Sequence, residues 1–536
     1  MNLRRTLSTL LFSAATAGVM GQTAPIARDQ ILETANEHLM LSWYCSPSNI
    51  YTGIPNAQCP FTTTGWKNGI PYDWGGYDTR DSFWTNVVVN GGYAGDTNSA
   101  AVISTNYGND CSGFVSRALR SGRYATSGFP AVCTEITYPV IGPGDLMNYA
   151  SSHVRLFEKY TGTNLTQQVE CTTGGSGTAG MKRRVLATDS NYKPLRYNNT
   201  ATWPSLTKVL GGATGAASVE FLGQSTSGFR VYRSSDAVNW ALVAGEGALG
   251  VQAQTVTATG LAQADTHYFR ATAVNAGVET AASPVLALRQ QTGARKALIV
   301  NGYDRWHTKT ESGGLPHSFM TRTAQALAAA GYAFDSVDNL RVLDNTVALS
   351  NYSSVWWILG DESTTDETFS YQEQLRLQDY LAAGGHLFVS GAEIVWDLVN
   401  KKGPINDQAF ALNYLKCGYG GDGSAGNGYS FSGVSGEVCA GVSGNFDNGT
   451  GGTFAVSYPD VLVPQTGARS VMRYGTGGVA AVAYDGVFGT GTTPGSVFVM
   501  GFPLETVTSS AARTAIVNAA TTQFFGVSAV EEWAKY

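Results

Sequence analysis

The spacing of hydrophobic positions changes along the chain and divides it into segments of different kinds. In residues 22–200 apolar side chains recur at helical intervals from Ala27 to Trp43, which predicts a helix there. A second helix is expected to begin at Cys111 and to continue through Leu119. Tyrosine-, asparagine- and tryptophan-rich stretches surround both helices, and five of the seven cysteines lie in this segment.

Residues 205–292 show the two-residue alternation of half-buried strands. Short alternating runs begin near Phe229, Thr255 and Tyr268, and turn residues separate them at regular distances. This pattern predicts a small β-sandwich. It resembles a fibronectin type III module, and the resemblance implies that Tyr268 is the corner tyrosine of such a module.

From residue 295 to 530 apolar strands alternate with helical patterns, which favours a doubly wound parallel sheet. Residues 404–495 interrupt the alternation and predict a glycine-rich β insertion. The layout resembles the flavodoxin-like, glutamine-amidotransferase-like architecture. The predicted elements are strands at Lys296–Asn301, Ser354–Gly360, His386–Gly391 and Val497–Pro503, and helices at Ser318–Ala330, Tyr371–Ala383 and Ser510–Phe525.

Length, charge and the N-terminus narrow the function classes. The 536 residues exceed one compact core at ~150 residues per domain. A net charge of −6 argues against a general nucleic-acid surface. Two arginines before an apolar stretch predict a signal peptide over residues 1–21, and no other stretch is long and apolar enough for a membrane span. The mature chain is therefore expected to be secreted or extracytoplasmic.

Seven cysteines leave one thiol over if the rest form bridges in an oxidising compartment. Proximity in sequence favours three local pairs, Cys45–Cys59, Cys133–Cys171 and Cys417–Cys439, although six cysteines permit fifteen pairings. This arithmetic leaves Cys111 unpaired.

Cys111 also stands in the sharpest chemical motif of the chain. Asn109-Asp-Cys-Ser-Gly-Phe-Val places the thiol where a helix begins, and Gly144-Asp-Leu leads to His153-Val. A thiol at a helix N-terminus is expected to have a lowered pKa, because the unpaired N–H groups favour the thiolate. A histidine on a neighbouring strand can exchange a proton with it, provided that a third polar group orients the ring.

These motifs, with Pro71-Tyr-Asp-Trp-Gly-Gly before them, resemble the NlpC-type cell-wall endopeptidases, a papain-like family. The resemblance covers about residues 27–200 and implies that Cys111 is the nucleophile and His153 the base. It places the third polar residue in 167–170, where we favour Glu170, and matches Tyr72 to an active-site tyrosine that helps to hold the oxyanion. It implies no cofactor or metal.

The predicted fold class is therefore multidomain: an α+β papain-like domain, an all-β sandwich, and an α/β doubly wound domain with a β-rich insertion. The predicted function is hydrolysis of an amide bond, with peptidoglycan stem peptides as substrate and glycan as a further ligand of the accessory domains. The chain departs from the family in one respect. A stretch of 34 positions separates Gly76 from Asp110, where family members have a short link.

Three alternatives stay open at this stage. Cys111 is a structural half-cystine in the first, and in the second the chain is a non-catalytic surface- or glycan-binding protein. In the third, polar residues at the strand ends of the α/β segment form a metal or sugar site of their own. Those residues are Asp304, His307, His317, Asp361, Glu362 and Glu393. Glutaminase chemistry is excluded there, because no cysteine occurs between positions 171 and 417.

Overall fold

The computed structural model describes residues 25–55, 58–174, 179–304, 319–362, 367–401, 406–423 and 428–526. The predicted signal peptide, residues 1–21, lies outside them. The α-helices in these ranges are α1 Arg28–Met40, α2 Arg80–Phe83, α3 Cys111–Ala118, α4 Phe319–Ala329, α5 Leu340–Leu343, α6 Tyr371–Ala382, α7 Asp407–Phe410 and α8 Ser510–Phe525.

The strands fall into three runs along the chain. The first run is β1 Ser42–Cys45, β2 Gly65–Asn68, β3 Tyr93–Ala94, β4 Asn106–Tyr107, β5 Cys133–Glu135, β6 Leu146–Tyr149, β7 His153–Gly162, β8 Leu165–Thr172, β9 Gly180–Ala187 and β10 Lys193–Tyr197. The second is β11 Ser205–Gly211, β12 Ala216–Leu222, β13 Gly228–Ser234, β14 Ala241–Ala244, β15 Thr255–Thr259, β16 Thr266–Asn275, β17 Val278–Glu279 and β18 Leu286–Arg289. The third is β19 Lys296–Asn301, β20 Ala333–Asp338, β21 Ser354–Gly360, β22 His386–Gly391, β23 Cys417–Asp422, β24 Ser430–Gly433, β25 Ser443–Asn445, β26 Asp460–Pro464, β27 Arg469–Tyr474, β28 Val479–Gly486 and β29 Gly495–Met500.

The predicted fold class is wrong. The chain is mostly β, with 36% strand and 23% helix, and a papain-like α+β domain followed by an α/β domain is not evident. Instead, 17 strands of the second and third runs belong to one hydrogen-bonded sheet. The physical reason is that β11 and β18 of the second run pair with β20 of the third, so the backbone groups of these strands are satisfied within one shared sheet.

Two backbone pairings join the second run to the third. Strand β11 pairs antiparallel with β20, and β18 also meets β20. The Ser336 hydroxyl strengthens this seam, since it accepts the Ala287 N–H at 2.7 Å and donates to the Ala287 carbonyl. Tyr268, expected to be a corner tyrosine, is buried and hydrogen-bonds Gln325 on α4. The domain boundaries of this region stay a prediction.

Within the large sheet, β20, β19, β21, β22 and β29 are neighbours in that order and pair in parallel. Their side chains are buried almost throughout, because helices cover the sheet: Ser354–Gly360 is buried at every position. Beyond β29 the sheet continues antiparallel through β28 and β27. The glycine-rich insertion therefore extends this sheet, while β23 and β26 form a small ladder of their own.

The first run forms a six-stranded antiparallel sheet in the order β5-β10-β6-β7-β8-β9. Helix α3 packs against β7 and β8, and its apolar face, including Phe114 and Val115, is fully buried. This packing brings the first turn of α3 to the start of β7. It thereby sets the position of the candidate site.

Helix α1 connects this first part to the rest of the molecule through an acidic junction. Asp29, Glu33 and Glu37 recur every fourth residue, so they share one helix face. Asn339 donates to Glu33 at 2.7 Å, and Gln30 donates to the Asp304 carbonyl at 2.9 Å. The acidic face of α1 therefore lies on the ends of the parallel strands.

None of the helices in the described part of the chain is both long enough and apolar enough to cross a membrane.

Candidate functional site

Cys111 is the first residue of α3, and Asp110 is the N-cap of that helix. The Asp110 carboxylate accepts the Gly113 N–H at 2.6 Å and the Ser112 hydroxyl at 2.8 Å, which is the usual way to satisfy a free helix end. Arg123 forms an ion pair with the other Asp110 oxygen. The cap uses the N–H of Gly113 and not that of Cys111.

Two glycines of the sequence motifs allow the loop before α3 to approach it closely. A Cβ added at Gly113 would lie 1.9 Å from the Gly76 carbonyl oxygen, so a side chain cannot fit there. The Gly76 carbonyl also accepts the Asp110 N–H at 3.2 Å. The Trp-Gly-Gly and Asp-Cys-Ser-Gly motifs, distant in sequence, therefore form one contact.

His153 and Glu170 come together on adjacent antiparallel strands. The His153 Nε2–H donates to Oε2 of Glu170 at 2.6 Å, from β7 to β8. Glu170 is fully buried, whereas the His153 side chain is 18% exposed. Burial alone would raise the pKa of Glu170, but the hydrogen bond from His153 and the nearby positive charges lower it below its usual value.

The thiol of Cys111 lies at the start of β7. The backbone N–H groups of Val154, the residue after His153, and of Ser112 lie close enough to the Cys111 sulfur to lower its pKa. Cys111 is 7% exposed, and a neighbouring strand end thus brings the histidine to the helix that carries the thiol. The structure thus places His153 and Glu170 in contact, on the strand pair against which the helix of Cys111 packs.

Tyr72 lies within electrostatic reach of the thiol. Its backbone forms a bridge with Asn109, two residues before Cys111, and its side chain is buried. Burial raises the pKa of Tyr72 well above its usual range, and the nearby Cys111 and Asp110 raise it further. The Tyr72 side chain is therefore a neutral hydroxyl within electrostatic reach of the sulfur.

The expected lowering of the thiol pKa is wrong. Burial, followed by the charge of Asp110, raises the pKa of Cys111 to about 11, although the Val154 and Ser112 N–H groups and Arg123 act in the opposite direction. The sequence argument considered the helix end but neither the burial of the thiol nor the negative charge of the carboxylate that caps the helix. The resting thiol is therefore protonated at neutral pH.

Several residues around the site were not singled out from the sequence. Arg155 and Arg184 form ion pairs with Glu170, and Arg155 also stacks over Tyr192, 4.1 Å from the ring centroid. The Tyr192 ring stands perpendicular to His153, with centroids 6.4 Å apart. Arg155 follows His153 by two positions, so strand alternation was a signal that both face the same side.

The seven cysteines all lie within the described residues, and all are free thiols. The expected pairs Cys45–Cys59, Cys133–Cys171 and Cys417–Cys439 are therefore not formed. Cys171 donates to the Asn109 carbonyl at 2.9 Å, and Cys417 and Cys439 lie in different core clusters. Counting bridges thus does not distinguish Cys111, whose significance depends on its neighbours.

The second candidate site is the set of polar residues at the strand ends within residues 295–530, and the structure describes only part of it. Asp304 donates its backbone N–H to Glu362 at 2.8 Å, which joins the ends of β19 and β21, while His307 and His317 lie outside the described residues. Across the ranges the structure describes, no group of three or more histidine, cysteine or acidic side chains is placed to hold a metal ion. His38 is buried and hydrogen-bonds the carbonyls of Thr34 and Asp78.

No protein-family model and no curated protein matches this chain. Among solved structures, an Fn3-like protein from Clostridium thermocellum is similar at 24% identity over 17% of this chain and 92% of that one, with a TM-score of 0.15. A β-1,2-glucanase from Parabacteroides distasonis shares 14% identity over 29% of this chain and 26% of its own, with a TM-score of 0.13. A β-glucuronidase from Ruminococcus gnavus shares 10% identity over 44% of this chain and 52% of its own, with a TM-score of 0.16. Likeness at these scores does not establish a common fold.

Proposed function

We propose that this protein is a thiol hydrolase that cleaves an amide bond through an acyl-enzyme on Cys111. The hydrogen bond from His153 to Glu170, in which the histidine immediately precedes the Val154 N–H that acts on the Cys111 sulfur, is the observation that supports this most strongly. A nucleophile, a base and a group that orients the base are the components such a reaction needs.

The orientation of the His153 ring determines which nitrogen acts. Because Nε2–H donates to Glu170, the Nδ1 atom carries the lone pair and can accept a proton. Since the Cys111 thiol is protonated at rest, proton transfer to His153 accompanies attack of the sulfur on the substrate carbonyl carbon. The C–N bond then breaks as His153 returns that proton to the leaving amine, and water hydrolyses the thioester.

The negative oxygen of the tetrahedral intermediate needs donors. The Cys111 N–H at the first turn of α3 is one, because the Asp110 cap does not use it, and the Tyr72 hydroxyl is the second. The raised pKa of Tyr72 keeps that hydroxyl protonated and thus able to donate.

We propose peptidoglycan stem peptides as the substrate class, from the resemblance of the Tyr-Asp-Trp-Gly-Gly and Asp-Cys-Ser-Gly motifs to the NlpC-type endopeptidases. We propose an extracytoplasmic location from the signal peptide predicted over residues 1–21. In this proposal the remaining two-thirds of the chain positions the hydrolase and binds glycan.

Digestion of purified muropeptides by the wild type and by Cys111→Ala tests the proposal, and mass spectrometry of the products identifies the bond. Cys133→Ala is the matched control, because Cys133 has the same 7% exposure and lies in β5. We expect cleavage by the wild type and the control only. Equal cleavage by Cys111→Ala would show that the thiol is not the nucleophile.

One observation favours a second function, that of a non-catalytic surface- or glycan-binding protein. The Cys111 thiol is buried and its pKa is raised, as is common for structural thiols. Binding of intact peptidoglycan without any cleavage of muropeptides would support this alternative.

A further inference from the structure

A pair of buried carboxyl groups lies directly behind the Tyr72 segment. Asp73 is 4% exposed and Asp96 is fully buried, and their side chains are in hydrogen-bond contact. Asp73 belongs to the motif that carries Tyr72, whereas Asp96 belongs to the long stretch between Gly76 and Asp110.

The backbones of the two residues are also joined. Asp73 and Asp96 are partners in a parallel bridge, and the Trp74 N–H donates to the Asp96 carbonyl at 3.1 Å. The Asp73 N–H donates to the Asn109 carbonyl at 3.0 Å, so the same short segment touches the residue that precedes the Asp110 cap. The carboxyl pair therefore lies where the insertion, the Tyr72 segment and the start of α3 meet.

Two carboxylates in contact inside a protein cannot both be ionised without a large repulsion, so one of them holds a proton. The surrounding donors determine which one. Asp96 accepts the Asn98 N–H at 2.8 Å and the Asn106 side-chain amide at 3.0 Å, both of which stabilise a carboxylate. Oδ1 of Asp73 accepts no hydrogen bond from the described residues. Asp73 is therefore the protonated partner.

Among the described residues, the ionisable groups that act most strongly on the pair are carboxyl, thiol and phenol groups. Asp73 faces Asp78 and Asp110, while Asp96 faces Cys59. Tyr72 and Cys171 also lie within electrostatic reach of Asp73. Arg117 acts on Asp78, and Arg123 is bound to Asp110.

We propose that Asp73 donates a proton-shared hydrogen bond to Asp96 and that this bond holds the Tyr72 segment against the insertion, which makes both aspartates positioning residues for the site. The catalytic consequence rests on the proposed thiol hydrolase, but the carboxyl pair itself does not. Loss of the shared proton would place two negative charges in contact and separate the two segments. Tyr72 and the Gly75 N–H, which donates to the Asp110 cap at 3.2 Å, would then move away from Cys111.

Hydrogen exchange of the intact protein, followed by mass spectrometry of peptides covering residues 71–76 and 93–98, measures the opening directly. Burial and the neighbouring Asp96 raise the pKa of Asp73 to about 9. After correction for the intrinsic exchange rate, we expect exchange in the wild type to increase about tenfold per pH unit above pH 9. In Asp73→Asn the amide still donates to Asp96 but cannot ionise, so the corrected rate should stay flat from pH 7 to 10. Asp265→Asn, an exposed charge removal, should behave as the wild type.

Infrared spectra of the wild type give a second measurement, which does not depend on the folding of a variant. The carbonyl band of a protonated carboxylic acid should decrease in the wild type as the pH passes 9. In Asp96→Asn the same band should disappear at a lower pH, because Asp73 then ionises beside a neutral donor. An exchange rate that does not change with pH in the wild type, or one that rises equally in Asp73→Asn, would overturn the proposal that Asp73 and Asp96 share a proton. Absence of any muropeptide cleavage would instead count against the proposed function and leave the exchange result unaffected.

Discussion

The Nε2 atom of His153 lies 2.6 Å from Oε2 of Glu170, with the histidine on β7 and the glutamate on β8. This hydrogen bond fixes the ring orientation and the tautomer, because only a protonated Nε2 can donate to the carboxylate. Glu170 in turn is held by Arg155 and Arg184. The base is thus oriented by a carboxylate that is itself fixed in place.

Glu170→Gln should lower kcat for muropeptide cleavage about a hundredfold or more, because the amide can hold Nε2 in the wrong tautomer. Steady-state kinetics measure the effect. Glu158→Gln is the matched control, since Glu158 is an ion-paired carboxylate on β7, the strand of His153, and binds Arg183 and not His153. A similar loss in both variants would indicate general disruption of the sheet.

Alkylation of Cys111 should accelerate with pH. Because burial and Asp110 raise the pKa of the thiol to about 11, the thiolate fraction, and with it the rate of iodoacetamide reaction, should increase about tenfold per pH unit from 7 to 10. The rate is measured as the difference between the wild type and Cys111→Ala. A plateau below pH 8 would instead reveal a thiolate–imidazolium pair at rest.

Asp110→Asn tests the source of that pKa shift. Asparagine caps a helix nearly as well as aspartate, so the fold should persist while the negative charge next to the thiol is removed. We expect alkylation at pH 8 to become several-fold faster than in the wild type. An unchanged rate would assign the shift to burial alone.

Gly113→Ala should destabilise the first part of the chain by more than about 3 kcal/mol, because its Cβ would overlap the Gly76 carbonyl oxygen at 1.9 Å. Urea unfolding measures this change. Gly122→Ala is the control, since an added Cβ there meets nothing within 4 Å. Comparable stability of the two variants would show that the close approach of the two motifs is not rigid.

The helical and buried-strand elements were predictable, whereas their association was not. The strands Lys296–Asn301, Ser354–Gly360 and His386–Gly391 were predicted with the bounds they have, because runs of buried apolar residues carry their own signal. The pairing of β11 with β20 has no local signal, since it depends on which edges meet in space. The proximity of His153 and Glu170 was predictable, but only through the family resemblance.

The acidic junction leads to a prediction about stability. Glu33 lies against Asp304 and Glu373, and burial raises the pKa of Asp304 to about 6 and that of Glu373 to about 8. A carboxyl with a raised pKa binds its proton more tightly in the folded state than in the unfolded state. Its contribution to the free energy of unfolding is therefore complete below about pH 4 and is lost as the pH rises through 6 to 8.

The melting temperature should accordingly be several degrees higher at pH 5 than at pH 8, and calorimetry at matched ionic strength measures this difference. Glu373→Gln should make the difference in melting temperature between pH 5 and pH 8 smaller, because one of the titrating groups is removed. Exposed Glu135→Gln is the control. A melting temperature that increases from pH 5 to pH 8 would contradict the protonated state of the junction.

The pairing of β11 and β18 with β20 also constrains the order in which the chain can fold during its synthesis. Strand β11 ends at Gly211, but its partner β20 begins only at Ala333, so more than a hundred further residues must leave the ribosome before the pair can form. Until then β11 has unpaired backbone groups on the side that β20 will occupy, and such groups are a template for association with other chains. A nascent chain stalled before residue 333 is therefore at its most vulnerable to aggregation, and truncation there yields an open sheet edge and not a finished domain.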